Sequence, residues 1–127
     1  MFEHDCNILV VDDDRDLRTT VAQVLEDEGY HVDEASNGKE ALERLHAGPA
    51  PDLLLLDLMM PVMNGEQFRQ EQQKEPDLAR IPVVVMTAAG SRVNDRIEAI
   101  APAAVLQKPV GLEDLLGTIA HILERPL

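Results

Sequence analysis

Aromatic side chains are nearly absent from the 127 residues, which hold no tryptophan, one tyrosine and two phenylalanines. With hydrophobic residues at 45%, the core must be mostly aliphatic. Cysteine is scarce too: Cys6 stands alone, which excludes an internal disulfide. The opening Met1-Phe-Glu-His-Asp5 lacks the charged and apolar regions of a signal peptide, so a reducing cytoplasm is the expected location. Basic residues are few, 11 against 24 acidic ones, and the formal charge of −13 would repel a phosphate backbone and an anionic membrane surface alike. Direct nucleic-acid binding and membrane association are therefore not expected. No apolar stretch nears the roughly 20 residues that span a bilayer. No Gly-x-Gly-x-x-Gly follows the first apolar run, which argues against a dinucleotide. Linkers, low-complexity segments and long repeats are missing as well, so residues 1–127 are expected to form one domain.

What is present is an alternation of short runs rich in Val, Ile and Leu with longer segments of helical periodicity, the pattern of repeated βα units. A first strand is expected at about 7–12. Leu17, Val21, Val24 and Leu25 share a helical face, and Gly29 is a natural stop. Tyr30 to Ala35 predicts a second strand, after which Asn37 and Glu40 suggest a capping box for a helix ending at Gly48-Pro49. Leu53 to Leu56 are four consecutive leucines, which implies a central strand buried on both faces. Breakers from Leu58 to Gly65 predict a loop, with Asn64-Gly65 a tight turn. The helix from Glu66 to about Lys74 has Phe68 as its only large apolar residue and is expected to dock shallowly. A fourth strand over Ile81 to Met86, a helix capped by Ser91 and carrying Val93, Ile97 and Ile100, and a fifth strand ending at Lys108 complete the alternation. The closing stripe of Leu112, Leu115, Leu116, Ile119, Ile122 and Leu123 predicts a last helix over about 112–124.

Four strand ends carry groups suited to phosphoryl chemistry: Asp12-Asp13-Asp14, Asp57, Thr87 and Lys108-Pro109. Each has a structural reading. Negative charge favours a helix N-terminus, Asp suits a turn after a strand, Thr has strand propensity, and Lys-Pro fits an exposed turn. Parallel strands of one sheet would bring all four to one edge, where open α/β sheets bind ligands. One shared site explains the four together. Carboxylates gathered there could hold Mg²⁺, with Lys and Thr on phosphoryl oxygens.

The order and spacing of Asp12-Asp13 after Leu9-Val-Val11, Asp57 within Leu56-Asp-Leu-Met-Met-Pro61 with Gly65 beyond, Thr87-Ala88 and Lys108-Pro109 resemble the receiver domain of two-component response regulators. The resemblance covers essentially the whole chain. It implies an α/β, doubly wound, five-stranded parallel sheet of order 2-1-3-4-5 with five helices, a flavodoxin-like three-layer sandwich. It also implies that Asp57 accepts a phosphoryl group from a histidine kinase or phosphotransfer protein. Asp13, Asp57 and the main-chain carbonyl of Met59 would hold Mg²⁺, with Asp12 acting mainly through metal-bound water and Asp14 outside the set. Lys108, the Thr87 hydroxyl and the Ala88 backbone N–H would contact phosphoryl oxygens, and the Lys108–Pro109 peptide would be cis. Phosphorylation would then alter binding to an output protein or domain, the chain being a signalling domain rather than an enzyme with turnover, and a monomer or weak dimer.

Two departures stand out. The family's usual aromatic positions, three before and two after the lysine, are Val105 and Val110, so the aromatic rotation that couples site to surface has no residues to run through. Met59 and Ala89 occupy positions that tune phosphoryl lifetime, and neither can hold an attacking water, which predicts slow hydrolysis. Two other readings of the same residues are a receiver-like interaction module that is not phosphorylated, and a hydrolase forming an aspartyl phosphate. Such a hydrolase would carry a second Asp where Met59 stands. His4, His31, His46 and His121 lie too far apart for a metal set, Cys6 is expected as a small buried hydrophobe, and Met59, Met60 and Met63 as loop and rim packing. The stretch Ala99-Ile-Ala-Pro-Ala-Ala104 has no functional reading.

Overall fold

The computed structural model describes residues 6–88 and 100–123. Five parallel strands, β1 (Asn7–Val11), β2 (His31–Ala35), β3 (Leu53–Asp57), β4 (Val83–Ala88) and β5 (Ala104–Lys108), form one sheet of order β2-β1-β3-β4-β5. This is the expected doubly wound order. The helices described are α1 (Arg15–Asp27), α2 (Gly38–Ala47), α3 (Gly65–Gln73), the single turn α4 (Pro76–Ala79) and α5 (Leu112–Leu123). The expected helix with Val93 and Ile97 falls outside the described residues, as do Ser91 and Ala89. Ile100, its last expected apolar residue, is buried. No described helix is long and apolar enough to cross a membrane.

Alternation along the strands divides the core in two. Leu9, Val11, Leu54, Leu56, Val83 and Val85 meet α2 and α3 through Ala41, Leu45 and Phe68. Ile8, Val10, Leu53, Leu55, Val84 and Met86 meet α1 and α5 through Val21, Leu25, Leu115 and Ile119. The leucine run is fully buried, as its composition implied.

Capping fixes where the helices start. Asp14 caps α1, its carboxylate accepting from the Leu17 N–H at 3.1 Å, and Gly29 closes the turn after it at φ 97. Asn37 caps α2 as expected by accepting from the Glu40 N–H at 2.9 Å. Glu40 does not return to Asn37, because its carboxylate is taken by the Ser36 N–H and hydroxyl. A reciprocal capping box forms instead at α3, between Asn64 and Gln67, so Asn64 serves as a cap rather than as a turn residue.

The expectation for α3 needs correction. The helix is deeply seated: Phe68 and the polar Gln72 are fully buried, and Arg69 is buried with them. Arg69 donates to the carbonyls of Ile100 (2.8 Å) and Ala101 (3.3 Å) and to Gln72 Oε1 (2.8 Å), and Gln72 Nε2 donates to the carbonyls of Leu78 (2.8 Å) and Ile81 (3.2 Å). A side chain satisfied in this way can be buried without being apolar. The carbonyls of the alanine-rich stretch thus have a structural use.

Candidate phosphoryl site

β1 ends in a turn that aims two carboxylates differently. Asp12 is fully buried, its N–H donating to the Ala35 carbonyl at 3.1 Å, whereas Asp13 is exposed. Arg18 holds this turn from α1, donating to the Asp12 carbonyl at 2.7 Å while its Nε meets Glu34 at 2.9 Å. Asp12 Oδ1 accepts from the Asp14 N–H at 2.9 Å and Oδ2 from Lys108 Nζ at 3.0 Å. Asp14 is committed to capping α1.

Asp57 is the last residue of β3 and is 5% exposed. One carboxylate oxygen from each of Asp12, Asp13 and Asp57 lies within 4.8 Å of the others. Lys108 Nζ is 3.5 Å from Asp57 Oδ2, so one cation serves two buried carboxylates. The Lys108–Pro109 peptide is cis. The Met59 N–H donates to Asp57 Oδ1 at 3.3 Å, which places that main chain beside the acceptor, while the Met59 side chain is exposed. Of the three methionines expected as packing, Met60 is buried and Met63 lies against the core, whereas Met59 packs little. β4 runs further than expected, to Ala88, so Thr87 lies within the strand, buried, one residue past the Met86 that pairs with Asp57. Ala88 pairs with Lys108 across β4 and β5.

Among the described residues charge at this edge is unbalanced, with the carboxylates of Asp12, Asp13 and Asp57 against Lys108. Burial pushes the Asp57 carboxyl up to about 6 from its usual 3.8; Asp12 and, less strongly, Asp13 add to the rise, and Lys108 with the Met59 N–H oppose it. Burial also works against the Lys108 charge, but the hydrogen bond to Asp12 and the fields of Asp57 and Asp12 prevail and hold its pKa above 10.5. An edge with excess buried negative charge is suited to a cation. All-oxygen donors suit a hard one such as Mg²⁺.

Outside the site, His46 meets Glu75 at 2.8 Å and His31 and His121 are exposed, so surface roles fit those three. His4 lies outside the described residues. Cys6 is half-buried, just before β1, against the α1/α5 core. Val105 is 46% exposed and Val110 packs on the same core. Three features were not anticipated from the sequence: the Arg18 brace, the turn α4 and the Arg69–Gln72 network. The Arg18 brace and the Arg69–Gln72 network reach groups 6 to 32 residues away, where no local pattern marks them, whereas α4 is a local turn opened by Pro76.

The family whose model matches is described as the response regulator receiver domain, over residues 8–120. Response regulator MprA of Mycolicibacterium vanbaalenii is 41% identical over 121 residues, covering 93% of this chain and 50% of that protein. MprA of Mycobacterium leprae is 42% identical over the same length, with 93% and 51% covered. The chain thus spans about half the length of the curated relatives it matches. Among solved structures, the chemotaxis response regulator CheY4 of Vibrio cholerae is similar at a TM-score of 0.84 and 30% identity, covering 92% of this chain and 98% of that one. The signal receiver domain of a DNA binding response regulator from Colwellia psychrerythraea 34H is similar at 0.84 and 31%, covering 95% and 100%. With its strand order, its acidic edge and these likenesses in agreement, the chain belongs to the response regulator receiver domain family.

Proposed function

We propose that the chain works as a single phosphoacceptor domain in which Asp57 receives a phosphoryl group from a phosphohistidine on a histidine kinase or phosphotransfer protein. The observation that carries this reading is the convergence of three carboxylates and Lys108 at one sheet edge, with Asp57 as the buried strand-end member. In the proposed step an Asp57 carboxylate oxygen attacks phosphorus in line. The O–P bond forms as the P–N bond to the donor imidazole breaks, and the electron pair returns to that nitrogen. Asp13, Asp57 and the Met59 carbonyl would hold Mg²⁺. Asp12, both of whose oxygens are already hydrogen-bonded, would contribute through bound water. When bound, the ion supplies the positive charge that lets an anionic donor approach. Lys108 turns from Asp12 and Asp57 to a phosphoryl oxygen, and Thr87 and the Ala88 N–H donate to the others.

The modified domain carries dianionic charge beside Lys108 and Thr87, and their response would change the surface offered to an output protein or domain. With Met59 and Ala89 unable to orient water, the phosphoryl group should persist for minutes or longer. Its decay after loading, compared with an Ala89→Glu variant, measures this; equal rates would refute it.

Incubation with acetyl phosphate and Mg²⁺ followed by intact mass measurement tests the central reading. A phosphoryl mass increment that disappears in Asp57→Ala is expected. No increment in the parent protein would favour the interaction module instead.

A further inference from the structure

We infer that Gly38, on an element outside the phosphoryl site, is a positioning residue for the loop that follows Asp57, paired in this role with Gly65. The loop, residues 58–64, carries Met59, whose N–H contacts Asp57. Its far end is tied to α2: the Gly38 N–H donates to the Met63 carbonyl at 3.0 Å. Its near end is closed by the Gly65 N–H donating to the Leu58 carbonyl, also at 3.0 Å.

Neither glycine has a positive φ, so what each position requires is space. A Cβ on Gly38 would stand 2.8 Å from the Met63 carbonyl oxygen and from Met63 Cγ, and 3.0 Å from Phe68 Cβ. The thioether chain can swing aside. The carbonyl oxygen cannot move without carrying the loop with it, and Phe68 Cβ is fixed on α3. A Cβ on Gly65 would stand 2.8 Å from the Asp57 carbonyl oxygen and from Leu58 Cα.

Between these ties the chain takes a conformation it would not choose alone. Val62 has φ 67, and the Met63 N–H donates to the Pro61 carbonyl at 2.7 Å, a three-residue γ-turn of the strained, positive-φ kind. A β-branched residue there is a steric outlier. Val62 is also 75% exposed, so little burial offsets the strain. The turn is therefore held from its flanks, and Gly38 supplies the flank that belongs to another helix.

The inference rests on the proposed phosphoryl site for its functional meaning, and the test separates the two. Hydrogen–deuterium exchange of the 58–64 peptide is measured on metal-free protein, and Mg²⁺ affinity by titration, for the parent, Gly38→Ala and the control Gly48→Ala, whose added methyl meets nothing within 4 Å. Expected are faster loop exchange in Gly38→Ala, with α1 peptides unchanged, and Mg²⁺ affinity lowered by about tenfold or more, as for other groups that orient metal ligands. Gly48→Ala should match the parent. Parent-level loop exchange in Gly38→Ala overturns the inference. A parent that binds no Mg²⁺ refutes the metal reading, and loop exchange still decides the role of Gly38. If Gly38→Ala does not fold, Val62→Gly decides: it removes the Cβ that makes the turn costly and keeps both ties. A higher Tm with unchanged loop exchange supports flanking control, and a lower Tm overturns it.

Discussion

Among the described residues two sets of polar side chains are wholly or partly buried, at opposite ends of the strands, and they are balanced differently. Arg69 and Gln72 lie near the segments that enter β4 and β5, with donors and acceptors matched to named carbonyls. Asp12, Asp57 and Lys108 lie where β1, β3 and β5 end, with more negative charge than the lysine neutralises. Both are dense in hydrogen bonds. The satisfied set has nothing left to offer a ligand and reads as architecture. The other set is hydrogen-bonded but unequal in charge, an imbalance that under the proposed function a cation and a phosphoryl group would relieve.

The sharpest way to break this contrast is to remove one residue from each set. Lys108→Met should lower the rate of acetyl phosphate modification by about 10²–10³-fold, read by intact mass, with the fold retained. Arg69→Ala should do the reverse: stability falls by about 2–4 kcal/mol in urea melts, because Gln72 and two carbonyls lose their donor, while folded molecules are modified at nearly the parent rate.

Acidity distinguishes the sets next. The folded Asp57 carboxyl holds its proton up to about pH 6, whereas the unfolded one releases it near 4, so the folded state binds more protons across that window. Metal-free stability should therefore fall as pH rises from about 4 to 6, by on the order of 3 kcal/mol from this group. Asp57→Asn should flatten that part of the profile in thermal melts, and a profile unchanged in the variant would contradict the upward shift that burial, with Asp12, imposes on Asp57. The smallest effect is expected at Asp14, which neighbours the acidic site without belonging to it. Asp14→Ala should cost about 1 kcal/mol as a lost cap and leave Mg²⁺ affinity in place.

Legibility in the sequence followed the same division. Leu53 to Leu56 announced a strand covered on both faces because burial there is continuous, and the stripe from Leu112 to Leu123 announced α5 because burial there has a helical period. The site residues were readable because each sits at the end of such a run. α3 was misjudged because Arg69 and Gln72 are solvent-like by composition and become buried through carbonyls supplied by distant segments. Asn64 and Glu40 were misassigned for a related reason: a cap depends on which backbone N–H is free, and Ser36 competed for Glu40. Gly38 carried no local mark, since the neighbour that excludes its Cβ lies on another part of the chain.

The two aliphatic cores share β3 as a common wall, Leu54 and Leu56 serving one and Leu53 and Leu55 the other. Neither can melt while the other stays intact without exposing that strand, so unfolding is expected as one cooperative transition. Asp57 terminates the wall itself. Whatever binds there is thus coupled to the melting of the whole domain, and under the proposed function a thermal midpoint that rises with added Mg²⁺ would report binding in a chain that has no tryptophan to do so.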